Sequence, residues 1–306
     1  MLPALLVYCC VVVLPALYTA FLSLFKWNGL GEKKFVLFRN YVNLFTTDAV
    51  FKTALKNNII WIILTLLFTM TIALLLAMLL NRKFKGRVVY RAIFYFPYML
   101  SWIVIGIIWK WIYNPNIGFL DSLLNLLGIQ TSGAGWLSDP KIALYCVFAA
   151  ALWQGVGQPM LYFLAGLQGI PQELYEAAAV DGAGKVATFF NVTIPQLKET
   201  FVIVLATLVI ASLKVYDVVY VMTNGGPVNS TQTLASYMYA QTFSYSNLGT
   251  GSAIVVVMMV MMMVVMVVHM LVLMFAIYIY IYMRSRYATL HTCRLTYGYI
   301  RNTKFI

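Results

Sequence analysis

Six apolar runs, each long enough or nearly long enough to cross a bilayer, dominate this sequence and limit what it can fold into. They lie at roughly residues 2–25, 55–80, 92–113, 142–168, 200–222 and 251–283. A helix needs about 20 apolar residues to cover a hydrocarbon core of roughly 30 Å. Within lipid every backbone N–H and C=O must find a partner inside the segment, which a helix provides. The expectation is an all-α membrane protein of six transmembrane helices, with a transmembrane domain over 1–283 and a separate tail over 284–306. Composition agrees: 62% of the 306 residues are hydrophobic and only 10% are charged, too few polar side chains to coat a water-facing globule. In such a chain a net charge of +12 speaks for loops lying against anionic headgroups, and against nucleic acid.

The loops set the orientation. Asn81 to Arg91 is short and carries Arg82, Lys83, Lys85, Arg87 and Arg91, which the positive-inside rule assigns to the cytoplasm. Both termini, the loop 169–199 and the tail then lie inside, and 114–141 and 223–246 outside. The first outer loop runs against the rule, because Lys26, Lys33, Lys34, Arg39, Lys52 and Lys56 lie in or beside it. Its charges are interspersed with Phe, Leu and Val, so it is expected to rest flat as an amphipathic surface segment. Pro15 and Pro97 are expected to kink the first and third spans. Trp61, Trp102, Trp109, Trp111 and Trp153 are read as interfacial aromatics, and Cys9, Cys10 and Cys146 as small buried apolar residues. The last run is almost wholly Val, Met, Ile and Tyr, and the tail has no usable periodicity.

Four of the nine acidic residues, Glu173, Glu176, Asp181 and Glu199, fall in 169–199. A helix is expected from about Pro171, a residue suited to a helix start, with Glu173 near the positive end of the macrodipole. Leu174, Ala177, Ala178 and Asp181 share one face. Gly182 and Gly184 stop the helix by admitting left-handed backbone. A second short helix follows, with Val186, Phe189 and Phe190 at i, i+3 and i+4, and Pro195 separates it from the fifth span. Periodicity alone favours an ordinary amphipathic connection between helices.

The residue types and spacing go further. Glu176-Ala177-Ala178, Gly182 and Val192-Thr193-Ile194-Pro195 resemble the EAA loop of binding-protein-dependent ABC importer permeases, with Val192 and Ile194 in place of the usual Ile and Leu. Asp181-Gly182-Ala183 adds the D-G-A found in many members. Phe96-Pro97 through Trp111, Asn114 to Gly118, Thr223 to Pro227 and Ser230 to Leu234 are similar to the carbohydrate-uptake branch, the maltose and glycerol-phosphate permease type. The likeness covers about 2–255. It implies the type I ABC importer permease fold, in a bacterial cell membrane, with a translocation path for a sugar or related carbohydrate. A glycerol phosphate or polyol remains open beside it. The implied partners are an ABC ATPase subunit dimer, a second permease subunit, an extracytoplasmic solute-binding protein and the lipid bilayer. The resemblance assigns ATPase coupling to Glu176, Ala177, Ala178, Asp181, Gly182 and Pro195.

Lys214 and Asp217 sit three residues apart in the fifth run, which places them on one helix face if the helix is continuous. They either border the path, form a local ion pair, or, for Lys214, snorkel outward. No catalytic residue, metal site or cofactor is indicated: no nucleophile–base pair, metal spacing or paired intramembrane carboxylates occurs. Gly182-Ala183-Gly184-Lys185 lacks the preceding Gly and following Ser or Thr of a phosphate loop. ATP hydrolysis is therefore expected in a separate subunit. An ion-coupled carrier would place more ionisable groups deep in its spans.

Overall fold

The computed structural model describes residues 2–128, 135–268, 270, 271 and 274. It divides into two units, 1–262 and 263–306; the described residues of the second are helical. The expected tail over 284–306, and the end of the sixth run, lie outside the described residues.

Leu2–Leu22 (α1), Ala49–Asn81 (α3) and Leu248–Val268 (α14) are long and apolar enough to cross a membrane. Between α1 and α3 come a small antiparallel hairpin, β1 (Phe25–Lys26) and β2 (Lys34–Phe35), and α2 (Arg39–Thr46). The segment between the first two runs is thus folded into a hairpin and a helix. The buried amide of Asn40 donates to Ser23 O and Phe25 O at 2.8 and 2.9 Å, tying α2 to the hairpin. Pro15 does not break α1. The turn before it, Cys9–Val13, is wound wider, with i→i+5 hydrogen bonding, which gives the proline ring room. Only Leu22 of α1 is buried, and Cys9 and Cys10 are exposed rather than packed inside. Cys146 is half-buried.

The third run forms two helices, α4 (Arg87–Met99) and α5 (Trp102–Ile112), bent by 97°. The break falls at Leu100 and Ser101, which are extended, and Ser101 Oγ caps α5 by accepting from Ile103 N–H at 3.2 Å. Pro97 sits in the last turn of α4 and is not itself the bend. A short helix, α6 (Phe119–Leu126), follows. The fourth run forms α7 (Ala143–Gly155) and α8 (Gly157–Gln168). Then come α9 (Gln172–Val180), α10 (Lys185–Gln196) and α11 (Lys198–Leu213), with a 68° bend between the last two. The fifth run also breaks: α11 ends at Leu213, and α12 (Asp217–Thr223) begins after three non-helical residues. The helix α13 (Leu234–Tyr239) completes the order. Among the described residues three helices are long and apolar enough to span, or up to five if each bent pair is one span.

α3 is the axis of the packing, because it supplies residues to all three buried clusters. Trp61 packs with Ile105, Val147, Phe148 and Val218. Ala73, Ala77 and Leu80 meet Met160, Phe163, Leu197 and Val204. Phe51 and Ala54 meet Leu44, Leu234, Tyr237 and Ile254. Trp61 is therefore a core residue, with its ring edge-on to Phe148 at 5.4 Å, whereas Trp111 is exposed. At 33 residues α3 is about 50 Å long, so one end outlasts a core of about 30 Å.

Buried amides complete the axis. Asn57 Nδ2 donates to Ser230 O and Gln232 O, both at 2.8 Å. Asn58, fully buried, donates to Ser212 O at 2.9 Å and accepts from Leu234 N–H at 2.7 Å. Asp48 caps α3 through Phe51 N–H and accepts a 2.6 Å hydrogen bond from Tyr237 Oη. Burial, and then this bond to the carboxylate, push the Tyr237 hydroxyl well above its usual range. Arg91 Nη2 donates to Leu80 O at 2.8 Å, so one cation of the short basic loop closes the C-terminal end of α3.

Asn58→Ala leaves a buried N–H and a buried C=O unpaired, at about 1–3 kcal/mol each. Thermal unfolding in detergent should show a clearly lower midpoint for Asn58→Ala, while Asn28→Ala at the exposed hairpin tip should match the parent.

Candidate functional site: an exposed helical elbow and a cavity between broken helices

The elbow is α9, the turn 181–184 and α10. Glu176, Ala177 and Ala178 lie on α9, and no residue of that helix is buried. Gln172 Nε2 donates to Glu176 Oε1 at 3.1 Å. Asp181 ends the helix and Gly182 follows with φ +74°. Ala183 N–H reaches back to Ala178 O at 2.9 Å, and Gly182 N–H to Ala179 O at 3.1 Å. This is a Schellman ending, which requires left-handed backbone where glycine stands. The sequence-based stop is met at Gly182, while Gly184 keeps φ −70° and starts α10. Pro195 lies in the last turn of α10, just before the 68° bend at Leu197. Tyr175 Oη and Thr193 Oγ1, 3.3 Å apart, join the two arms. Val180, Val186 and Phe190 are 88, 71 and 62% exposed. Leu197, at the root, is fully buried among Ala73, Ala77 and Phe163.

The second feature is a cavity of about 280 Å³. It forms where the two helix breaks meet α3. The 97° break brings Tyr98 and Trp102, α3 brings Trp61, Thr65 and Thr69, and α8 brings Gln158. Thr65–Thr69 is itself a widened turn of α3, and Ser212 Oγ donates to Thr65 Oγ1 at 3.3 Å. Such turns accompany functional sites in helices. The second break contributes Lys214, Val215, Tyr216 and Asp217.

Lys214 and Asp217 therefore do not share a helix face. Lys214 follows the last residue of α11 and Asp217 is the first residue of α12, with Tyr216 between them at φ −136°, ψ −61°. No ion pair within 4 Å joins them among the described residues. The cavity gathers both charges, with an amide, hydroxyls and indole and phenol rings. That set suits a polar solute bound briefly between aromatic faces. Tyr98 and Gln158 are cavity residues that the sequence did not single out, and Trp102 lines the cavity where the sequence read it as an interfacial aromatic. The available signal was Ser101, a helix-capping residue amid an apolar run. Among the described residues no group of three or more His, Cys, Asp or Glu is placed to hold a metal ion.

Comparison with known proteins decides the family. The family described as "Binding-protein-dependent transport system inner membrane component" matches residues 69–281. The chain belongs to this family. As an ABC transporter permease it is a membrane transport subunit and not an enzyme. It is 36% identical over 253 residues to a probable ABC transporter permease protein of Pyrococcus horikoshii, covering 82% of this chain and 86% of that one. It is 36% identical to the sulfoquinovosyl glycerol transport system permease protein SmoG of Agrobacterium fabrum, covering 82 and 81%. It is 34% identical to the trehalose/maltose transport system permease protein MalF of Thermococcus litoralis, covering 81 and 82%. A solved bacterial ABC transporter involved in import of the acidic polysaccharide alginate shares the fold at a TM-score of 0.75 and 21% identity, over 88% of this chain and 91% of that chain. The permease thus has the type I ABC importer permease fold.

Ala211 lines the cavity with its side chain exposed, so a larger residue there fills the space without disturbing the core. Ala211→Trp should reduce solute uptake to background with membrane level and unfolding midpoint unchanged. Uptake at the parent rate would remove the cavity from the path.

Proposed function

We propose that this permease forms half of the translocation path of an importer for a sugar-type solute, and that a separate ATPase drives it through the elbow. The observation that carries the reading is the bareness of α9. A helix with no buried residue, beside exposed Val180, Val186 and Phe190, leaves apolar surface in water unless another protein covers it. The small side chains of Ala177 and Ala178 admit a close approach, and Glu176 and Asp181 offer acceptors to it. Gly182 sets the turn between the two arms of the elbow, and Pro195 stands just before the bend where the elbow rejoins the bundle. The occupant we assign is the ATPase subunit dimer, on the cytoplasmic side where the basic 82–91 loop also lies.

In this reading six spans cross the membrane, both termini are cytoplasmic, and a second permease subunit completes the path. A solute-binding protein delivers the solute from outside. The relatives' names support the solute class: trehalose and maltose in one case, sulfoquinovosyl glycerol in another. Lys214 and Asp217 border the path at the cavity, together with Trp61, Tyr98, Trp102 and Gln158. A glycerol phosphate or polyol fits the same groups.

A proline at position 182 cannot take φ +74°. In proteoliposomes holding this chain, its partner permease and the ATPase dimer, Gly182→Pro should abolish ATP-dependent uptake of a disaccharide presented on its binding protein, with the variant still inserted. Uptake at the parent rate refutes the coupling role. In inverted membrane vesicles, a cysteine replacing Val180 should react with an impermeant maleimide and be shielded when the ATPase is bound. Labelling only from the opposite face would overturn the topology.

A further inference from the structure

The cations of the first outer loop have no place in the function described so far, and they run against the positive-inside rule. The fold shows where they go. Lys26 in β1 is paired directly opposite Lys34 in β2. Like charges placed opposite in an antiparallel ladder destabilise it, and neither lysine has an ion pair within 4 Å among the described residues. Phe25 and Phe35, in the neighbouring pair with ring centroids 5.0 Å apart, hold the hairpin closed against that repulsion. Both lysines line a cavity of about 710 Å³, which Arg39 also enters and where Glu32 is the one carboxylate. Three cations thus face a single acid. Two further lining groups offer donors. Trp27 lines the cavity and its indole N–H is buried without an acceptor. Asn28 uses its Oδ1 on Leu30 N–H at 3.1 Å, leaving its amide hydrogens. Lys33, by contrast, is already engaged with the Tyr18 hydroxyl at 3.1 Å and the Trp27 ring at 4.5 Å.

A concave surface on which three cations face one carboxylate is complementary to carboxylates of a partner. Its surroundings narrow the source. Apart from Trp27, Leu30 and Val36 the lining is polar, so it offers little apolar wall for a lipid chain. None of its residues lines the 280 Å³ cavity, so a solute in transit does not meet it. It continues, through Asn40, Asn43, Asn247 and Thr250, into a second polar hollow reaching Asp48 and Gln241, a footprint broader than one small anion needs. Leu30, at the hairpin tip, is 80% exposed and adds an apolar contact at the rim. We infer that this depression docks an acidic face of the solute-binding protein, with Lys26, Lys34 and Arg39 receiving its carboxylates. The inference rests on the importer reading above and adds to it the place and the sign of the contact.

The test uses the whole transporter in phosphatidylcholine nanodiscs, with association of its solute-binding protein followed over about 0.02–0.3 M salt. For the parent, the association rate should fall steeply with salt. The double variant Lys26→Glu/Lys34→Glu should lose about tenfold or more of the low-salt rate and most of the salt dependence, with basal ATP hydrolysis unchanged. Lys26→Arg/Lys34→Arg should keep the parent rate, which separates charge from damage to the hairpin. Equal rates and equal salt slopes for the parent and the Glu variant overturn the inference. So does a defect that appears only when phosphatidylglycerol is added, since the anion is then lipid. If the parent itself shows no association at any salt, the importer reading falls first.

Discussion

Two buried amides hold the site open. A helix that stops inside a packed bundle strands its terminal N–H and C=O groups, and each stranded group costs more than most single contacts return. Asn58 answers one such break by donating to Ser212 O at the end of α11 and accepting from Leu234 N–H at the start of α13. Gln154 answers the other, donating to Leu100 O at 2.9 Å where α4 gives way to α5. Thr233 Oγ1 adds a bond to Val215 O at 2.8 Å. With these partners supplied, the third and fifth apolar runs can each bend away from a straight span. The cavity is the space left where both bend beside α3. Its polar lining, from Tyr98 to Asp217, comes largely from the broken segments.

The same axis reaches the elbow. Leu197 sits at the bend between α10 and α11, fully buried against Ala73, Ala77 and Phe163. Gly166 of α8 lies so close to Thr200 and Leu197 that a Cβ there would collide with both. The root of the elbow is therefore packed without slack, while its tip is bare. In the proposed coupling, a force on α9 cannot be absorbed at that root and passes along α11 towards Ser212 and Lys214. Close-packed interiors transmit displacement in this way because they move between discrete arrangements and do not deform continuously.

The apolar runs were legible because lipid demands one simple pattern, and the Gly182 turn because left-handed backbone demands one residue. Neither break was legible in the same way. Pro97 drew attention to the third run, but the bend lies at Leu100–Ser101 and its partner, Gln154, is 54 residues away. Asn57 and Asn58 stood inside an expected span as two unremarked amides, because their partners lie more than 150 residues further along the chain. Trp61 and Trp111 differ in nothing a window of sequence can register, yet one is core and the other exposed. Local rules found what local physics decides, and the site is built from long-range hydrogen bonds.

Lys214 and Asp217 show what the break accomplishes. On a continuous helix, residues three apart face the same side and can neutralise one another, which would make this stretch a structural ion pair. Three non-helical residues separate α11 from α12, and the two side chains reach the cavity from different helix ends without an ion pair between them. An isolated charge is tolerated at membrane depth where water reaches it. Lys214 and Asp217 are both exposed, so the cavity wall that carries them is open to water. In the proposed path an entering polar solute would exchange one set of hydrogen bonds for another and would not be stripped into an apolar slot, which suits weak binding and ready release.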